Sequence, residues 1–150
     1  MTSALVVLIA AQGALGVAQL QFMASRAASP EPVFASLRAV VPPRARIIGV
    51  PHYWLAFPEY DYRSYVLLEQ LAGPRLTPNP ISWAAAFEQV APRVVLLDPD
   101  LAALFADRST PFNRERSEAY DYYMGAHQAH LLAELPDERG GTLRVYQLAP

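Results

Sequence analysis

Apolar positions divide this chain into an uncharged N-terminal stretch and a longer region where helical stripes alternate with short continuous runs. From Met1 to Ser25 no side chain is charged, and Arg26 is the first that is. Leu5, Val6, Val7, Leu8, Ile9, Leu15, Val17, Leu20 and Phe22 lie in this stretch. About 20 such residues, rising 1.5 Å each, cross a ~30 Å hydrocarbon core. Residues 1–25 are therefore expected to form a transmembrane helix and residues 26–150 a separate domain. Gln12, Gln19 and Gln21 oppose insertion. Gln12, Gly16 and Gln19 share one helical face, which suits contact with other transmembrane helices better than contact with lipid. A lone anchor that tolerates glutamine is the plainer alternative. Cleavage as a signal peptide at Ser25-Arg26-Ala27 is another, opposed by the absence of a basic leading region. One arginine does not fix the orientation.

Beyond the stretch, Ser29-Pro30-Glu31 has the form of a helix start: a capping serine, proline at the first position and an acid in the first turn. Val33, Phe34, Leu37, Val40 and Val41 continue it as an apolar stripe that Pro42-Pro43 stops. Arg46–Val50 reads as a short buried strand. Tyr65–Leu68 is an apolar run whose length leaves strand and helix both open. Asn79-Pro80 begins another helix, with a stripe of Ile81, Ala84, Ala85 and Phe87 that ends at Ala91-Pro92. Arg93–Asp98 is continuous and branched, as a strand covered on both faces should be. Asp98-Pro99 caps a short helix through Phe105, and residues 106–120 are polar enough to predict a loop or short helix. His130–Leu135 and Thr142–Leu148 pair as an antiparallel hairpin across Asp137–Gly141. Two helix-then-strand units and a closing hairpin predict a small mixed α/β sheet domain.

Composition narrows the function. Hydrophobic residues make up 53% and charged ones 17% of the chain, against roughly 25% charged in ordinary soluble domains. All twelve basic residues are arginines, scattered without a run, and the formal net charge is −2. That argues against a nucleic-acid partner, which calls for a basic stripe. With no cysteine, disulfides, thiolate metal sites and cysteine nucleophiles are excluded.

Candidate chemistry is sparse. His127 and His130 have helical metal-ligand spacing but lack a third ligand, so they read as ordinary histidines rather than a metal site. Asp98 and Asp100 follow a buried strand, where open α/β sheets bind ligands, although helix capping explains Asp98 equally well. The most unusual stretch is Glu59-Tyr60-Asp61-Tyr62-Arg63-Ser64-Tyr65, echoed by Tyr120-Asp121-Tyr122-Tyr123. Tyrosines among acids and an arginine can seat at a membrane interface, stack on sugar rings or brace a loop through their hydroxyls. The sequence offers no catalytic residue, no phosphate loop, no nucleophile–base pair and no cofactor motif.

The order of the segments resembles the C-terminal end of bacterial family-39-type glycosyltransferases of the GT-C membrane class. The residues that carry it are Phe34–Gly49 behind a hydrophobic helix, Tyr53-Trp54-Leu55, Tyr60-Asp61-Tyr62-Arg63, Val94–Pro99 and Leu143-Arg144-Val145-Tyr146. The resemblance implies a polytopic enzyme that moves a sugar from a polyprenyl-phosphate donor to a glycan or other acceptor outside the bacterial inner or plasma membrane. In that family the catalytic aspartate lies in the first external loop, and no position here corresponds to it. The chain is then expected to be a non-catalytic external tail. Tyr53, Trp54, Tyr60, Asp61, Tyr62 and Arg63 match the tail pattern and are the substrate-facing candidates. The alternative is a single-pass anchored interaction domain with no link to sugar transfer.

Overall fold

The computed structural model describes residues 31–137 and 140–150. The expected transmembrane helix over 1–25 and the Ser29-Pro30 helix start lie outside the described residues. Among the described residues no helix is long and apolar enough to cross a membrane.

The described chain forms an α/β domain in the order α1 (Glu31–Val40), β1 (Arg46–Gly49), a 3-10 helix (Pro51–Ala56), β2 (Asp61–Ser64), α2 (Val66–Ala72), α3 (Trp83–Val90), β3 (Val94–Leu97), α4 (Pro99–Ala106), α5 (Pro111–Ala126), β4 (His130–Pro136) and β5 (Thr142–Gln147). The five strands lie in the order β2-β1-β3-β5-β4. β1 is parallel to β2 and to β3, whereas β5 runs antiparallel to both β3 and β4. β1 to β4 therefore all point one way. Their C-terminal ends, at Gly49, Ser64, Leu97 and Pro136, line the same edge of the sheet.

β3 explains the layering. All four of its residues are buried, and alternate side chains of a strand point to opposite faces, so both faces need cover. Val94 and Leu96 share a face with Ile47, Gly49 and Tyr62, on the side of Phe57 and the 3-10 helix. Val95 and Leu97 face the other way, where Leu97 borders a hollow with Phe105 and Tyr120. The helices divide accordingly. α1 packs on the 3-10 helix and β4, while α2 packs on α3, and α3 and α4 each pack on α5.

Three readings become specific. Residues 106–120, expected as a loop or short helix, hold a short loop over 107–110 and then most of α5, a helix of 16 residues capped by the Thr110 hydroxyl on the Asn113 N–H, with Pro111 in its first turn. Its buried positions are Arg116, Ser117, Ala119 and Tyr123, so no aliphatic stripe announces it. Aromatic contacts hold it instead, with Phe105–Tyr120 stacked at 4.3 Å and Phe87–Tyr123 at 5.2 Å. Secondly, α3 starts later than Asn79-Pro80. The Ser82 side chain accepts from the Ala85 N–H, and Trp83 opens the helix. Thirdly, the tyrosine-rich stretch contains an edge strand, β2, and the ambiguous run after it is helical as α2.

Gly49 is where β1, β2 and β3 crowd. A Cβ there would lie 2.7 Å from the Tyr62 hydroxyl and 3.0 Å from Leu96 Cβ, and that hydroxyl is itself held by a 2.6 Å hydrogen bond to the Val50 carbonyl. Gly49→Ala is expected to cost ~1–3 kcal/mol of stability through overpacking. In a Tyr62→Phe background the alanine should cost less, because the clashing oxygen is gone. Thermal unfolding of both singles and the double reads this coupling, and strict additivity would refute the contact.

Candidate functional site

The shared strand edge carries the buried carboxyl groups of Asp98 and Asp137. Sequence places Asp98 directly after β3, with Pro99 at the first turn of α4. Its Oδ1 accepts the Leu101 N–H at 2.7 Å, closing the helix start. Asp98 is 1% exposed, and its Oδ2 is buried with no hydrogen-bond partner. Burial pushes its pKa above the usual carboxylate range. The Leu101 N–H opposes this, the nearby Asp100 and Asp137 carboxylates reinforce it, and His52 opposes it weakly.

Asp137 begins the β4–β5 connection and is also buried. Its Oδ1 accepts the Tyr53 hydroxyl at 2.6 Å. Its main chain closes the loop, with its N–H on the Gly141 carbonyl at 3.1 Å and its carbonyl accepting from Gly140 at 3.0 Å. Gly141 sits at φ +106°, and a Cβ there would meet Pro99 Cγ at 2.7 Å. Only glycine lets the hairpin loop lie this close to the α4 cap. Tyr53 is fully buried, with the His52 ring 4.2 Å from its own. The 3-10 helix, the α4 cap and the hairpin loop thus meet at the strand edge. Asp98 Oδ2 has essentially no exposed surface, so in this conformation it can hold a proton but cannot touch a substrate.

The six candidates from the sequence do not converge on one face. Tyr53 is in the core. Trp54 is 57% exposed. Tyr60 is half-buried, its ring edge-on to Phe57 at 5.0 Å. Strand alternation turns Tyr62 away from Asp61 and Arg63. Tyr62 stacks on Phe57 at 6.1 Å, and burial, helped by Asp98, raises its pKa far above that of a free phenol. Asp61 joins Arg63 at 3.0 Å and Arg46 at 2.7 Å. Its pKa is lowered, first by the Arg63 hydrogen bond and then, against some burial, by Arg46. All three groups are at least one-third exposed, so this cluster contributes little to stability. Its charges instead blunt the open edge of the sheet.

His127 accepts no metal-like arrangement: its Nδ1 lies 3.3 Å from the Ala149 carbonyl and its Nε2 3.9 Å from Glu88. Among the described residues no group of three His, Asp or Glu is placed to hold a metal ion.

Sequence reasoning missed two features. Asp137 looked like an ordinary turn residue, because nothing local links it to Tyr53, 84 positions away. It also missed a groove of about 530 Å³ lined by Glu69, Gly73, Pro74, Arg75, Leu76 and Phe112. Its one local signal was Leu76, an apolar residue in a Pro-rich loop and 61% exposed. Behind the groove the buried Arg116 donates to the Leu104 carbonyl at 2.8 Å, lies 3.9 Å from Glu69 and sits 5.7 Å over the Trp83 ring.

Two substitutions test the strand edge. Asp98→Ala removes the cap and should cost ~1 kcal/mol, whereas Asp98→Asn keeps it. Because the folded-state pKa is raised, Asp98 stabilises the fold below its unfolded pKa, near 3.8, relative to higher pH. That advantage is lost as pH rises through the folded pKa. Wild type should therefore lose stability relative to Asp98→Asn as pH rises above about 4, measured by paired thermal unfolding. A constant gap as pH rises would rule out the raised pKa. Tyr53→Phe strips a buried carboxylate of a hydrogen bond and should cost ~1–3 kcal/mol, with faster amide exchange in the hairpin loop.

No protein-family model, no curated protein and no solved structure matches this chain.

Proposed function

We propose that this chain is the non-catalytic C-terminal part of a GT-C-class membrane glycosyltransferase that uses a polyprenyl-phosphate sugar donor. Residues 1–25 are its membrane helix, and the α/β domain lies on the external side of a bacterial inner or plasma membrane. One observation carries the reading. Arg46–Gly49, Val94–Leu97 and Leu143–Tyr146, three stretches from the segments on which the resemblance rests, lie in β1, β3 and β5, which are neighbours in that order. The segment ending in Asp98-Pro99 is the buried strand with its helix cap. These segments thus serve as one structural unit, the centre of the sheet.

In this reading the domain supports the external active site and contributes no reacting group. Asp98 caps α4, and the Tyr53–Asp137 hydrogen bond ties the 3-10 helix to the hairpin loop at the same strand edge. Trp54, Tyr60, Asp61 and Arg63 retain some exposed surface toward acceptor or sugar. The groove beside Leu76 and Phe112 favours a second reading, an anchored interaction domain unrelated to sugar transfer. Its volume falls in the range of small-ligand sites.

The coding sequence upstream of the Met1 codon separates the two. An in-frame continuation with several hydrophobic spans and an acidic first external loop is expected. A stop codon directly upstream would end the glycosyltransferase reading and leave the interaction domain.

A further inference from the structure

The groove beside Leu76 and Phe112 carries one charge of each sign on an apolar wall. Glu69 lines it from α2 and Arg75 from the turn that follows, with Pro74, Leu76 and Phe112 as the apolar part. Main-chain bonds fix that turn. The Gly73 N–H donates to the Glu69 carbonyl at 2.7 Å, and the Gly73 carbonyl accepts from Leu76 at 3.0 Å and from Thr77 at 3.3 Å. Leu76 and Phe112 are 61% and 36% exposed, and the Phe112 ring stands edge-on to Trp83 at 5.3 Å.

The two charges share this hollow without pairing. Behind Glu69 the buried Arg116 stops 3.9 Å from its carboxylate, beyond hydrogen-bond reach. Among the described residues the Glu69 carboxylate accepts no hydrogen bond, and the exposed Arg75 has neither an ion pair nor a hydrogen bond. An anionic ligand would satisfy Arg75 and face Glu69, and a cationic one the reverse. A ligand carrying both signs satisfies both: a carboxylate accepts the guanidinium fork, and an ammonium donates to the carboxylate. Apolar substituents between them would cover Leu76 and Phe112. The volume, about 530 Å³, is within the range of small organic ligands and suits a peptide of two residues.

We propose that the groove binds a short apolar peptide with both termini free, its ammonium on Glu69, its carboxylate on Arg75 and its side chains on Leu76 and Phe112. Every group involved lies between residues 69 and 116, so the site is independent of residues 1–25 and of any role in sugar transfer.

Trp83 reports the site through its contact with Phe112. In the full chain carrying Trp54→Phe, Trp83 is the one tryptophan left of two, and leucyl-leucine is titrated against its emission. A saturable change is expected. Acetylating the peptide's amine or amidating its carboxylate should each weaken binding about fivefold, the upper end for a partly exposed ion pair. In Arg75→Gln, amidation should no longer matter while acetylation still does, and Glu69→Gln should show the reverse. Glu69→Gln deprives Arg116 of its nearest carboxylate, so near-UV circular dichroism checks that it folds. Arg75→Gln removes no bond among the described residues and carries the test by itself if Glu69→Gln does not fold. Emission that never saturates, capped peptides that bind as tightly as the free one, or unchanged discrimination in Arg75→Gln would each overturn the site.

Discussion

Burying β3 on both faces is the constraint from which the rest of this domain follows. Val94, Val95, Leu96 and Leu97 have no exposed side, and full burial of each such side chain stabilises the fold by about 1.5–3 kcal/mol. Two of them require the layer formed by α1 and the 3-10 helix, and two require α3, α4 and α5. The strand's hydrogen bonds require neighbours on both sides, supplied by parallel β1 and antiparallel β5. β5 can take that place because the chain first crosses to β4 and then returns through a hairpin.

The end of β3 links this core to the strand edge. Asp98 satisfies the first turn of α4 with one oxygen and leaves the other buried without a partner. A charged carboxylate in that setting is costly, which is why its pKa moves up while that of Asp61, exposed among arginines, moves down. The two aspartates therefore do different work. Asp98 closes the start of α4, while Asp137 with Tyr53 joins the hairpin loop to the 3-10 helix. The Asp61 cluster is solvated, contributes little energy, and discourages pairing at the edge of the sheet.

The Tyr53–Asp137 hydrogen bond also sets the inner face of the 3-10 helix, whose outer face leaves Trp54 and Leu55 exposed. The exposed apolar surface beside the groove belongs to the opposite layer. The domain thus carries an exposed apolar pair on one layer and a concave groove on the other.

Much of the fold was legible in the sequence. The Arg93–Asp98 run, the Asp98-Pro99 cap and the hairpin around Gly140-Gly141 are local signals: continuous branched residues, a capping side chain and glycines able to take positive φ. Each is decided within a few residues. The class, a small mixed α/β sheet, followed from their order. Residues 106–126 and the tyrosine-rich stretch behaved differently. α5 is held by rings that find Phe87 and Phe105 only in three dimensions, so its polar sequence gave no helical stripe. In β2, alternation sent Tyr62 inward and Asp61 and Arg63 outward, dividing a cluster that looked continuous along the chain. The meeting of Tyr53 with Asp137, the free buried oxygen of Asp98 and the groove behind Leu76 were decided by tertiary structure alone. They depend on contacts between residues far apart in sequence, and on how much water packing leaves around each polar atom.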